Sequence, residues 1–330
     1  MPVARRAAGA ARRRLGRGPG LGRAAQHRGP AARAPRRRTA GGRLRPAEPA
    51  AAGHLAPLLH HAENHRMVDA WWYMRKHLCW RLRLRPGPAG HALKQHLADA
   101  LDTRGRISAW WPGVYEAETA AFGGPAGMNA AHDLFCADSR AILNLTHTKD
   151  LELGRRELSL LLCTTLLRAA SLEWYEQGDV WQHVTRERPL PADVPTTKTS
   201  AMAVDLTRLL RADTSPEGPL LGTDGPLSTT APWMNAFRKA GHSLGTAARE
   251  GTLHRGLREV LSYLVIFHWN RLGLPTRTQS ILAHAAHTAV LNPPATAPHE
   301  NPTQVQRLNW CWRGGVGPVT FLDRRGMSGG

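Results

Sequence analysis

After residue 125, apolar positions recur three and four apart. They predict helices over 126–146, 154–171, 173–188, 196–212, 231–250, 253–272 and 275–290. In "LREVLSYLVIF" the stripe is Leu257, Val260, Leu261, Leu264 and Val265, and His268 and Arg271 extend it. The earlier part of the chain alternates instead. "VDAWWYMR" (68–75) and "CWRLRLRP" (79–86) read as two strands joined by a tight turn at "KHL". A short amphipathic helix is expected before them, over 54–67, and another after them, over 90–102. "RISAWW" and "GVYEAE" suggest a further pair of short strands, and 213–230 reads as a Pro- and Gly-rich loop. The expected fold class is α+β, a few early antiparallel strands packed against a largely helical C-terminal layer.

Alternation in the second strand sends Arg81, Arg83 and Arg85 to one face and Leu82 and Leu84 to the other. Three guanidinium groups in a row repel one another unless anions or acidic side chains sit opposite. Each can grip a carboxylate with a planar fork. A solvated outer face and a carboxylate- or phosphate-binding surface are both open readings. His268, Asn270 and Arg271 pose a similar question, because polar groups on an apolar stripe need partners or ligands. A satisfied core histidine stands beside a proton-transfer group suited to neutral pH.

The segment 115–140 adds a third candidate. Gly123 and Gly124 permit a tight turn, and the helix that follows offers free N–H groups to an anion. Glu116, Glu118, Asp138 and Arg140 serve equally well as cap or ion-pair residues and as binding residues. His284 and His287, three apart, lack a third ligand at metal-site spacing, so no metal is expected.

Composition changes this picture in one place. The 330-residue chain carries a net charge of +19, but residues 1–53 supply +13 of it through 14 Arg against the single Glu48. That segment, almost wholly Arg, Ala, Gly and Pro, is expected to be a disordered extension. It is open to three readings: a nucleic-acid-binding tail, a passive extension, or translation from a wrong start or shifted frame. No aromatics interleave with its arginines, which speaks against direct nucleic-acid binding. The four cysteines are scattered and no apolar run is long enough to cross a bilayer, which fits a cytoplasmic protein without membrane partners. Residues 292–330 read as an irregular tail.

"AWWYMRKHLCWRLRLRP", "YEAETAAFGGPAGMNAAHDLFCADSRAIL", "GRRELSLLLCTTLLRAASLEWYEQGDVW" and "FHWNRLGLPTRTQSILAHA" together resemble the thiopeptide-type bacteriocin biosynthesis domain. This is the C-terminal elimination domain of class I lanthipeptide dehydratases, here in a stand-alone form over 54–291. The resemblance implies removal of glutamate from glutamylated Ser or Thr of a ribosomal precursor peptide, leaving dehydroamino acids. A separate glutamyl-tRNA-dependent partner would attach the glutamate. Relatives that perform a formal [4+2] cycloaddition, forming a pyridine ring, give an alternative, as does a non-catalytic precursor-peptide-binding role.

On this resemblance Arg83 and His268 are the expected catalytic residues, with His268 as acid/base. Arg81, Arg85, Arg271, Asn270, Glu118 and Asp138 are the expected substrate-binding residues, converging on one cavity. No cofactor is implied, and homodimerisation is left open. Two departures stand out. Ala121 replaces a basic residue of the longer dehydratases, and the strand that should precede residue 54 is not recognisable.

Overall fold

The computed structural model describes residues 40–46, 50–76, 79–91, 93, 96–97, 100, 107–145 and 153–293. The expected extension over 1–39, the 292–330 tail beyond residue 293, and most of the 90–102 helix and the "KHL" turn lie outside them. Four strands form one antiparallel sheet: β1 (Ala40–Pro46), β2 (Val68–Lys76), β3 (Cys79–Pro86) and β4 (Ile107–Val114), in the order β2-β3-β1-β4. Helix α1 (Ala50–Asn64) connects β1 to β2. The helical layer follows: α2 (Pro125–Leu145), α3 (Arg155–Ala169), α4 (Trp174–Glu187), α5 (Thr196–Arg211), α6 (Ala231–Arg249), α7 (Leu257–Leu272) and α8 (Thr276–Leu291). The expected α+β class is what the structure has.

Three expectations are corrected. Residues 40–53 are not an unstructured extension: β1 runs through 40–46 and α1 begins at Ala50 rather than 54. "AGGRLRP" has almost no strand propensity, but β1 is paired on both sides, with Gly41 opposite Arg83 of β3 and Gly113 of β4. Tertiary pairing overrides local preference there. The suspected pair "RISAWW" and "GVYEAE" is instead the single strand β4, and 115–118 is irregular. Pro112 is tolerated inside β4 because that strand lies at the sheet edge. Finally, α7 starts at Leu257 rather than 253, because the His254 N–H donates to Gly123 O at 2.8 Å instead of continuing a helix.

The opposite edge, β2, is covered by α2. The Tyr73 N–H donates to Ser139 Oγ at 3.2 Å, and Arg140 of α2 pairs with Glu63 of α1 while its guanidinium lies 5.4 Å from the Trp71 ring. Covering an edge in this way blunts unwanted strand addition. Trp71, Trp72, Tyr73 and Met74 are consecutive and all buried, so the centre of β2 is enclosed on both faces.

Helix α3 is the spine of the helical layer, buried at every position from Leu158 to Leu167. Such an all-round apolar helix must be surrounded. Helix α6 crosses it closely through glycines. A Cβ on Gly241 would lie 2.3 Å from Leu166 O, and one on Gly245 would lie 2.8 Å from Ala170 O. Gly273, at φ 80°, ends α7 in the left-handed conformation, with the Leu274 N–H returning to Trp269 O at 3.0 Å.

Gly241→Ala is therefore expected to lower stability by about 1–3 kcal/mol through overpacking against backbone. Gly256→Ala, which has open space around it and φ −54°, should change stability little. Urea midpoints of the two variants check both statements.

Candidate functional site

The sequence-predicted residues fall into two groups. The first is buried. His268 and Arg271, three apart on α7, face Asp138 of α2, and all three side chains are 0% exposed. His268 Nδ1–H donates to Asp138 Oδ1 at 3.0 Å, Arg271 Nε donates to Oδ2 at 2.6 Å, and Trp233 Nε1 of α6 donates to Oδ1 at 2.9 Å. One carboxylate thus ties three helices together. Burial opposes its ionisation, but the charges and hydrogen bonds of His268 and Arg271 outweigh that and hold its pKa below the ordinary value. His268 Nε2 and Arg271 Nη1 and Nη2 are buried without a hydrogen-bond partner among the described residues. The imidazole is enclosed by the ring edges of Trp233 and Phe237. Arg271 lies 4.3 Å over the Phe135 ring.

The second group is on the sheet. Arg81, Arg83 and Arg85 alternate with buried Trp80, Leu82 and Leu84, and opposite them on β2 stand Met74, Trp72 and Ala70. Arg81 and Arg83 are half-buried and Arg85 is exposed. No ion pair to Arg81 or Arg85 occurs among the described residues, and Arg81 Nε is buried without a hydrogen-bond partner. Arg83 lies 5.1 Å over the Tyr115 ring. The Tyr115 hydroxyl is 2.8 Å from His132 Nε2, and Trp72 meets Tyr115 edge-on. Arg85 acts electrostatically on both His132 and Cys136 of α2.

The two groups meet at α2, where Arg85 and Arg271 both act electrostatically on Cys136. Phe135 touches both, 5.0 Å from the Trp72 ring and with the Arg271 guanidinium 4.3 Å over its own ring. His268 is fully buried. Its Nδ1 is satisfied by Asp138 while Nε2 has no hydrogen-bond partner among the described residues, so the histidine is only half satisfied. Asp138 and Arg271 are likewise buried, as an ion pair in which Arg271 Nη1 and Nη2 have no partner among the described residues. Asn270 looks elsewhere, accepting from Gln279 Nε2 at 3.0 Å. Glu118 is exposed beside Tyr115 and so belongs to the arginine side. Among the described residues no cluster of three potential ligands could hold a metal, His284 and His287 included. Tyr115 and His132 were not singled out by sequence, since seventeen residues of loop and helix separate them and no periodicity links them.

Comparison with known proteins bears on the family and the fold. The family described as lantibiotic biosynthesis dehydratase C-term matches residues 43–290, beginning inside β1. Among solved structures, the tRNA-dependent lantibiotic dehydratase MibB from Microbispora sp. 107891 is similar, with TM-score 0.57 and 20% identity. The match covers 76% of this chain, which spans only 27% of MibB. TsrL is similar with TM-score 0.51 and 16% identity, over 76% of this chain and 94% of TsrL. At these identities the likeness is one of fold. Comparison with curated protein sequences finds no significant match.

Removing the shared carboxylate should be costly. Asp138→Ala leaves a buried guanidinium uncompensated, and a loss of about 3–5 kcal/mol is expected in chemical denaturation. The pH dependence has a definite sign. A carboxyl with a depressed folded pKa contributes stability above its unfolded value, near 3.8, and loses it as pH falls through the folded one. The wild type should therefore lose stability more steeply below about pH 4 than Asp138→Asn, which starts lower and lacks that slope.

Proposed function

Since this chain belongs to the lantibiotic biosynthesis dehydratase C-terminal family, we propose that it eliminates glutamate from glutamylated Ser or Thr of a ribosomal peptide. The observation that carries this reading is the row Arg81, Arg83 and Arg85 on the open face of β3. β-Elimination of a glutamyl ester expels a carboxylate, and the glutamate carries a second one. A surface with positive charge not already matched by ion pairs to Arg81 and Arg85 suits such a leaving group. Arg83, over Tyr115, is the member best fixed in position and is proposed to stabilise charge at the reacting ester. Arg81 and Arg85 hold the departing glutamate. Glu118, exposed beside Tyr115, is proposed to contact the peptide.

The proposal assigns Asp138, His268 and Arg271 a supporting role: they fix α7 against α2 and so hold the helix that carries Phe135 behind Trp72. Asn270 supports α8 through Gln279. No helix among the described residues is long and apolar enough to cross a membrane. A separate glutamylating protein using glutamyl-tRNA supplies the ester in this scheme, and the precursor peptide is the substrate. Ala121, half-buried against the core, provides no charge at a position where longer relatives carry a base, so the β3 row bears the whole anion load.

The reading is tested with a synthetic peptide bearing one O-glutamylserine, followed by mass spectrometry for loss of glutamate. Glutamate release by the wild type is expected. The double variant Arg81→Ala with Arg85→Ala should raise KM by about tenfold or more, as expected for losing charge-assisted contacts. An ester left intact by folded wild-type protein would remove the reading.

A further inference from the structure

The elimination reading needs a proton acceptor that a peptide can reach, and His268 is fully buried. The arginine face supplies one. We propose that Tyr115 and His132 form the proton-transfer pair of that face, with the Tyr115 hydroxyl meeting the substrate and His132 behind it. The inference rests on the elimination reading and adds the residues that move the proton.

The geometry has three parts. The Tyr115 hydroxyl and His132 Nε2 are at hydrogen-bond distance, 2.8 Å. Both side chains are only half-buried, so a ligand on the sheet face has access to them. The pair is held on two sides: Trp72 packs edge-on to Tyr115 and against His132, and Arg83 lies over the Tyr115 ring. A substrate carboxylate held by Arg85 would therefore lie beside the ring pair.

The groups around His132 are Asp133 on its own helix, Arg85 from β3, and Tyr115 and Trp72. Burial lowers the His132 pKa, Asp133 opposes this, and Arg85 adds to the lowering. The imidazole is thus neutral near pH 7 and able to accept. Burial and Glu118 push Tyr115 up to about 12 against the opposing charge of Arg83, so the phenol holds its proton until something takes it. A neutral phenol is a poor base alone. It becomes one when a neutral imidazole receives its proton as another arrives.

The step balances as follows. His132 carries its proton on Nδ1, and Nε2 accepts the Tyr115 O–H. The Cα–H bond of the glutamylated residue breaks and its proton passes to Tyr115 Oη, while the Tyr115 proton passes to His132 Nε2. The Cα–H electron pair becomes the Cα=Cβ bond. The Cβ–O bond breaks with its pair left on the glutamate carboxylate, beside Arg81 and Arg85. His132, now imidazolium, releases its proton to solvent.

The experiment uses the full chain and the O-glutamylserine peptide, with kcat and KM for wild type, Tyr115→Phe and His132→Gln. Tyr175→Phe, a tyrosine exposed on α4, is the control. Tyr115→Phe should lower kcat by about 10²–10⁴-fold with KM nearly unchanged. In the wild type, kcat/KM should rise with pH through a limb centred below the ordinary histidine value of 6.5, and His132→Gln should abolish that limb. If the wild type releases glutamate but Tyr115→Phe stays within about threefold of it, the inference fails and the elimination reading stands. A wild-type profile with no acidic limb likewise overturns it, without any variant having to fold. Folded wild type that leaves the ester intact overturns both.

Discussion

The structure depends on one buried carboxylate. Asp138 accepts hydrogen bonds from an imidazole, a guanidinium and an indole on two other helices. A buried arginine is tolerable only with a carboxylate against it, and a buried aspartate only with donors around it. Each therefore requires the other, and the requirement fixes α2, α6 and α7 in register. That register in turn sets Phe135 behind Trp72 and Ser139 against the Tyr73 N–H, which is how a helical core positions the sheet. The Tyr73 hydroxyl closes the arrangement by donating to Arg271 O at 3.3 Å.

The sheet carries the opposite electrostatic arrangement. Its arginines are half-buried to exposed and stand beside the rings of Tyr115 and Trp72, with Glu118 and Asp133 acting on the same Tyr115 and His132 pair. None of the described carboxylates forms an ion pair with Arg81 or Arg85. The central position of β1 matters here. It places Gly41 opposite Arg83, so no side chain from that residue competes for the space beside the middle arginine.

Periodicity made the helices legible to within a few residues, because each buries an apolar stripe long enough to define its own phase. The α2 and α8 boundaries differ from expectation by a residue. Alternation likewise gave the two faces of β3. What periodicity could not give was β1, whose glycines and arginines carry no pattern and whose strand exists only through pairing on both sides. The site was half legible for the same kind of reason. The sequence identified Asp138, His268, Arg271 and the β3 arginines as unusual, but a polar residue on an apolar stripe has the same signature whether its partner is a ligand or another buried residue. Only the Asp138 contact decides between them. Tyr115 and His132 left no local trace because their proximity is set by the Gly123–Gly124 turn, where φ values of 76° and 98° fold the chain back so that α2 passes beside the residue before it.

The buried cluster has an electrostatic consequence. Asp138 and Arg271 pair at 2.6 Å, which reduces the field of the buried guanidinium, although Arg271 still acts on Cys136. A solitary buried arginine there would have added a long-range positive field in a medium of low dielectric, depressing every basic group on the sheet face. With that field reduced, the ionisation of Tyr115 and His132 is governed by burial and by near neighbours, Arg83, Arg85, Glu118, Asp133 and Cys136. The buried pair thus holds α2 against α7 while the residues that line the arginine face tune that face.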